Sequence, residues 1–180
     1  MSYSLGHHKN STLSFDLLKD NLSPVFLETG TNIGQGVLEA INAGFKKIVS
    51  IEIEPDFVEI VNNKFVKSGD YPDVEFQFHL GDSKSVIPNI IHDIDEKITF
   101  WLDGHEFYQI PLLEELIAIK NHKIKDHIIM IDDVRMFDSP EWNIIGHDNV
   151  IKLIMDINKS YKITYHNSPH GINDILIAKV

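Results

Sequence analysis

Five short runs of almost uninterrupted apolar residues, at 25–27, 47–51, 74–78, 98–102 and 127–131, alternate with stretches of helical spacing at 36–43, 56–67, 83–94 and 112–121. A strand with one wet face alternates apolar and polar residues. A run that is apolar throughout belongs to a strand buried on both faces of a parallel sheet. Parallel neighbours need a crossover, so these runs predict βαβ units with right-handed connections. The last third breaks the rhythm. A helical stretch at 149–157 leads into two more runs, 161–166 and 174–180, joined by a segment in which Pro169 and Gly171 mark a turn. The expected architecture is α/β: a Rossmann-like, seven-stranded, mostly parallel sheet with helices on both faces and a C-terminal antiparallel hairpin.

The 180 residues fit one domain, 1–180, with an N-terminal extension at 1–23 and a core from about residue 25. The net charge of −11 disfavours non-specific binding to nucleic acid or to anionic membranes, both of which need a basic face. The chain has no cysteine, which removes disulfides, thiolate nucleophiles and Cys-based zinc sites from consideration. Its first residues lack the apolar run of a signal peptide, and no apolar stretch is long enough to span a membrane. A cytoplasmic location is expected, and association into a homo-oligomer is compatible with this architecture.

In open parallel sheets, ligands bind outside the carboxyl ends of the strands, near the point where strand order reverses. The residues after each strand therefore carry the functional information. The first strand leads into Glu28-Thr29-Gly30-Thr31-Asn32-Ile33-Gly34-Gln35-Gly36. Its glycines permit a tight turn and a close ligand approach, and the following helix offers unpaired N–H groups. The bland alternative is a strand-to-helix turn without a ligand, and the glycine spacing is not that of the dinucleotide fingerprint. The second strand ends in Glu52, 24 residues beyond Glu28, where a carboxylate can accept two hydrogen bonds from a ribose diol. Glu54 belongs near the cap of the next helix. The third strand is followed by Gly81-Asp82-Ser83. Asp82 can bind the amine of a base or can cap the helix that starts at Ser83.

A glycine-rich turn, an acid ending the second strand and a Gly-Asp after the third, in this order, resemble the class I S-adenosylmethionine-dependent methyltransferases. The resemblance lies in residues 25–36, 48–55 and 80–88 and extends over nearly the whole chain from about Val25. It implies that Glu28, Gly30, Thr31, Asn32 and Gly34 surround the methionine moiety. It also implies that Glu52 holds the ribose hydroxyls, that Asp82 and Ser83 flank the adenine, and that Phe76 or Ile53 packs on the base. The fourth strand ends in Leu102-Asp103-Gly104-His105-Glu106-Phe107-Tyr108 and the fifth in Ile131-Asp132-Asp133-Val134-Arg135. These endings are similar to those of small O-methyltransferases, some of which hold a divalent metal between such loops.

Adjacent strands lie about 5 Å apart, so Asp103, His105, Asp132 and Asp133 can converge. The implied metal ligands are Asp103, Asp132 and Asp133, and the implied metal is magnesium or another divalent ion. Asp103 and His105 are the candidate catalytic residues, Asp103 also facing the cofactor. His105 could alternatively serve as a metal-free base, or the acids could merely cap turns. The expected acceptor is a small molecule and the expected chemistry O-methylation, with no nucleic acid or membrane partner.

Two features depart from the family pattern. No glycine pair precedes the fifth strand, and no inserted lid or substrate domain is present. The acceptor pocket would be built from residues 1–23, 106–111 and 136–147, with Phe137, Pro140 and Trp142 as an apolar wall or as plain packing. The other histidines, at 79, 92, 122, 127, 147, 166 and 170, show no ligand spacing, and Glu114 and Glu115 read as a solvent face. The alternatives of other classes are a nicotinamide-dinucleotide oxidoreductase and a catalytically silent nucleotide-binding protein.

Overall fold

The computed structural model describes residues 12–105, 110–142 and 145–180. β1 (Val25–Thr29), β2 (Lys47–Glu52), β3 (Glu75–Leu80), β4 (Ile98–Leu102) and β5 (Ile128–Ile131) pair in parallel. β7 (Ile175–Lys179) runs antiparallel to both β5 and β6 (Lys162–His166). The order across the sheet is β3-β2-β1-β4-β5-β7-β6. The chain thus builds outward from β1 in one direction, returns to β4, and builds outward in the other. The reversal lies between β1 and β4.

β1, β4 and β5 are buried at every position, whereas the edge strands β3 and β6 are partly exposed along their length. Alternate residues of each central strand enter opposite cores. Val25 and Leu27 join Ile98, Phe100 and Leu102 on one face. Phe26 joins Ile48, Trp101 and Met130 on the other. The first face is covered by α4 (Ser83–His92), α5 (Leu112–Asn121) and α6 (His147–Ile157), through residues such as Ile87, Leu116 and Ile154. The second is covered by α1 (Phe15–Lys19), α2 (Gln35–Ala43) and α3 (Pro55–Val61), through Leu18, Val37 and Val61. Among the described residues, no helix is long and apolar enough to cross a membrane.

Three local features had no sequence signature. α1 is a five-residue helix that starts where the Ser14 hydroxyl accepts the Leu17 N–H at 3.3 Å, a side-chain N-cap. Residues Asn62–Lys67 continue α3 as a π-helical turn, a rare geometry that re-aims side chains. It seats Phe65 in the second core and brings the Lys64 ammonium to the Ile33 carbonyl at 3.3 Å. Third, His122 and His127, read as unrelated, are buried and hydrogen-bonded to each other at 2.7 Å. His127 Nδ1 accepts the Ile98 N–H, so its Nε2–H donates to His122 Nδ1, and His122 Nε2–H donates to the Ile94 carbonyl. Burial, with the neighbouring His122 adding to it, holds His127 down to about 4, so His127 is neutral and its contact with His122 is a structural brace.

Candidate active site

A cleft of about 810 Å³ opens at the carboxyl ends of the strands, over the reversal between β1 and β4. This is in the size range of small-molecule and cofactor sites. Glu28, Gly30, Thr31, Asn32, Glu52, Asp82, Ser83, Asp103 and His105 all line it. Gly34, Asp132 and Asp133 do not.

Close packing sets the shape of the glycine turn. At Gly30 (φ +83°) a Cβ would lie 2.4 Å from the Asp103 carbonyl oxygen, so glycine permits both the left-handed backbone and the close approach of the β4 loop. Gly34 (φ +78°) is left-handed as well, and a Cβ there would strike the Phe65 ring at 2.6 Å. It packs against the second core between Ile33 and Gln35, which both line the cleft. The Gly30 N–H is held by the Ile51 carbonyl at 2.9 Å, which ties the turn to β2.

Glu28 is only 2% exposed. The Ser50 hydroxyl donates to its Oε1 at 2.8 Å, and the Thr31 hydroxyl is hydrogen-bonded to Ser50 in turn. Burial pushes the Glu28 carboxyl up to about 8, against the Ser50 hydrogen bond and with added repulsion from Asp103 and Glu52. Glu52 ends β2 with both carboxylate oxygens engaged: Oε2 accepts the Asn32 N–H at 2.7 Å and Oε1 the Glu54 N–H at 3.0 Å. Each oxygen retains a lone pair that can accept from a hydroxyl. Asp82 caps α4, accepting the Lys84 N–H at 3.2 Å and pairing with the Lys84 ammonium at 2.9 Å. The cap is therefore present, and the residue also faces the cleft. Ile53, 42% exposed, lines the cleft beside Phe57. Phe76 instead packs on Phe65 and Phe78 in the second core, away from the cleft.

The acids after β4 and β5 form two linked groups. His105 Nε2 lies 2.7 Å from Asp133 Oδ2 and 3.4 Å from Asp103 Oδ1. Burial disfavours its charge, but the two carboxylates outweigh burial and push His105 up to about 10. Asp133, although burial acts the other way, is held below its ordinary value by His105 and Arg135. Asp103 is held above its ordinary value by burial, against the pull of His105. The Arg135 guanidinium pairs with Asp133 Oδ1 at 2.5 Å and also with the fully buried Asp174. Asp132 is buried, accepts the Asp133 N–H at 2.8 Å, and is pushed up to about 8 by burial and by Asp103 and Asp133.

Potential ligand atoms of Asp103, His105 and Asp133 lie within 4.8 Å of one another, as do those of Asp132, Asp133 and Asp174. The four residues expected to converge thus divide, with Asp133 shared. Oxygen and imidazole donors at these separations fit a divalent cation. The first group fits once His105 gives up its proton, because an imidazolium has no lone pair to offer. In the second, Arg135 already pairs with Asp133 and Asp174 and offsets part of their charge. Among the acids, Asp132 therefore does not share a group with Asp103.

Trp142 and Phe137 are buried in the first core, and Trp142 also packs against the His105 ring at 4.6 Å between centroids. The packing reading of these aromatics prevails, and Trp142 in addition backs the histidine. Residues 1–11, 106–109 (Tyr108 among them) and 143–144 lie outside the described residues. Two residues at the site were missed. Asp174 anchors Arg135. Glu115, expected on a solvent face, is 1% exposed and lies behind Gly104.

The O-methyltransferase of Bacillus cereus, solved in complex with S-adenosylhomocysteine, superposes with a TM-score of 0.64 at 16% identity, over 98% of this chain and 84% of that one. TomG, the O-methyltransferase of tomaymycin synthesis in Streptomyces achromogenes, solved with S-adenosylmethionine, superposes with a TM-score of 0.60 at 16% identity, over 92% and 77%. This is the class I methyltransferase fold. The methyltransferase fold accounts for the five parallel strands, the terminal hairpin and a cleft at the β1/β4 reversal. A scan against models of known protein families finds no match. In sequence, the ribosomal RNA small subunit methyltransferase A of Methanosarcina barkeri is 28% identical over 112 residues, 55% of this chain and 37% of that protein. The chain thus matches little more than a third of that relative's length.

Proposed function

We propose that this chain is an S-adenosylmethionine-dependent methyltransferase acting on a hydroxyl group of a small molecule. The observation that carries this reading is the meeting, in one cleft at the sheet's reversal point, of the glycine turn, Glu52, the Asp82–Ser83 helix start and the Asp103–His105 loop. A nicotinamide enzyme would use a different glycine spacing. The sequence relative that acts on ribosomal RNA raises that acceptor class for this chain. The net charge of −11 and a cleft lined by Glu28, Glu39, Glu52, Asp82, Asp103 and Glu114 against Lys84 and His105 favour a small acceptor over a polyanion.

In this reading Glu52 accepts from the ribose hydroxyls, and Gly30 lets the glycine turn close against the Asp103 backbone in the wall that faces the methionine moiety. Ile53 covers the base, and Asp82 and Ser83 meet its edge. Methyl transfer needs the acceptor oxygen aligned on the sulfonium methyl and relieved of its proton. His105 carries its proton at neutral pH and cannot take another, so in the metal-free site the proton passes to Asp103, whose carboxyl is raised. A divalent cation held by Asp103, His105 and Asp133 would supply Lewis acidity that lowers the acceptor's pKa.

Calorimetric titration of the folded protein with S-adenosylmethionine, its demethylated product and NAD tests the cofactor. The expected result is micromolar binding of the first two, about −8 kcal/mol, no binding of NAD, and at least a tenfold loss in Glu52→Ala. NAD binding alone would replace the reading. Manganese titration followed by water-proton relaxation tests the metal, with binding expected in the wild type and lost in Asp103→Asn. Identical relaxation in both proteins removes the metal.

A further inference from the structure

Glu115 has no part in the chemistry described so far. It lies in the first turn of α5, on the stripe formed with Leu112, Leu116 and Ile119, and is 1% exposed. Its Oε1 has no hydrogen-bond partner. A Cβ built at Gly104 would lie 2.9 Å from the Thr29 hydroxyl and 3.4 Å from Glu115 Oε1. Gly104 lines the cleft, so Glu115 stands directly behind the cleft wall at the β1/β4 reversal. The Asp103 N–H, next to Gly104, donates to the Thr29 hydroxyl at 3.2 Å. Burying a carboxyl costs stability even with the Ser83 and Thr29 hydroxyls nearby.

On the reading of the cleft as the S-adenosylmethionine site, we propose that Glu115 is a positioning residue of the cofactor wall whose negative charge discriminates the cationic methyl donor from its uncharged product. The transferable methyl must emerge where the glycine turn meets the loop after β4, and Glu115 backs that loop. A carboxylate in a buried setting attracts a sulfonium cation across one layer of backbone, and loses that attraction when the methyl has gone. The donor is thereby held and the product released. Burial, joined by the charges of Asp82 and Asp103 and opposed by the Ser83 and Thr29 hydroxyls, pushes Glu115 up to about 7. The discrimination is therefore present above neutrality and fades below it. By linkage, the donor lowers the midpoint of Glu115 more than the product does.

The other ionisable groups around this wall are Glu28, Glu52, Asp82 with Lys84, Asp103 with His105, and Glu114. At the far end of α5, Lys120 pairs with Asp156 of α6. All are common to the wild type and to Glu115→Gln, so the comparison isolates Glu115 together with its coupling to Asp82 and Asp103.

The experiment is calorimetric titration of wild type and Glu115→Gln with S-adenosylmethionine and S-adenosylhomocysteine at pH 6.0 and 8.0. In the wild type the ratio of product to donor Kd is expected to rise between the two pH values by roughly fivefold more than in the variant, the size of one charge–charge interaction through a partly hydrated wall. An equal change in both proteins overturns the proposal while leaving the cofactor reading intact. Absence of binding by either ligand overturns the cofactor reading and the proposal with it. The second measurement needs no variant: the Glu115 carboxyl carbon shift is followed against pH in each wild-type complex. A lower midpoint with the donor supports the proposal, and identical midpoints refute it.

Discussion

Glu28→Gln isolates the energetic cost of one buried acid, and the structure fixes both its sign and its ceiling. Glu28 is 2% exposed, and burial raises its carboxyl from 4.5 to about 8. Unfolded, the same group releases its proton near its ordinary value. Between about pH 4.5 and 8 the folded chain therefore holds a proton that the unfolded chain does not. The stability associated with that proton is complete at the acid end and is lost progressively as pH rises through the window. Each pH unit of the window is worth about 1.4 kcal/mol, so the ceiling is about 5 kcal/mol. An amide of the same shape has no proton to lose, and its oxygen can still accept from Ser50. Glu28→Gln should thus match the wild type near pH 5 and exceed it by several kcal/mol at pH 8.5. Urea denaturation of both proteins at pH 5.5, 7.0 and 8.5 measures the difference. Asp132 and Glu115, raised to about 8 and about 7, tilt both curves alike and leave the difference untouched. Parallel curves for the two proteins over this range would refute the assignment of a neutral Glu28.

Gly30→Ala is expected to lose about 2 kcal/mol or more by denaturation, because an alanine at φ +83° is strained and its Cβ meets the Asp103 carbonyl oxygen at 2.4 Å. An unchanged midpoint would mean that the turn relaxes freely. His105, raised to about 10 by Asp103 and Asp133 against the effect of burial, adds stability that is complete below its unfolded value and is lost as pH rises toward 10. In Asp133→Asn its imidazole carbon resonances should titrate at a lower pH. A midpoint that does not move would show that Asp133 is not the closer partner.

β1, β2, β4 and β5 were legible because burial on both faces writes itself as mostly apolar runs, the edge strand β3 because its residues alternate, and the hairpin because Pro169 and Gly171 leave few other conformations. The cleft residues Glu28, Gly30, Glu52 and Asp82 were legible because a parallel sheet places every strand's carboxyl end on the same rim. At Gly34, between Ile33 and Gln35 of the cleft wall, sequence order could not show that the absent Cβ would meet the Phe65 ring, which a π-helical turn delivers. Glu115 was misread despite a signal: it falls three residues after Leu112 and one before Leu116, on the apolar stripe, while Glu114 lies one step round the helix in solvent. The pairing of His122 with His127, and of Asp174 with Arg135, joins segments whose relative placement comes from packing alone, and no spacing rule would have found either.

The hairpin has a further consequence for how this molecule can change. Because β7 runs against β5, its beginning lies beside the end of β5, so the connecting segment 167–173 lies on the same rim as the cleft. That segment is fastened by a short chain of polar contacts: the Ser168 hydroxyl to Asp174 at 2.5 Å, Asp174 to Arg135, Arg135 to Asp133, and Asp133 to His105. The sheet ends at His166 and resumes at Ile175, and the length between them is free of ladder hydrogen bonds. Insertions there would extend the rim beside the cleft without disturbing a strand. The hairpin is in this sense an interchangeable rim, mechanically joined to the His105 end of the cleft by four contacts among five side chains.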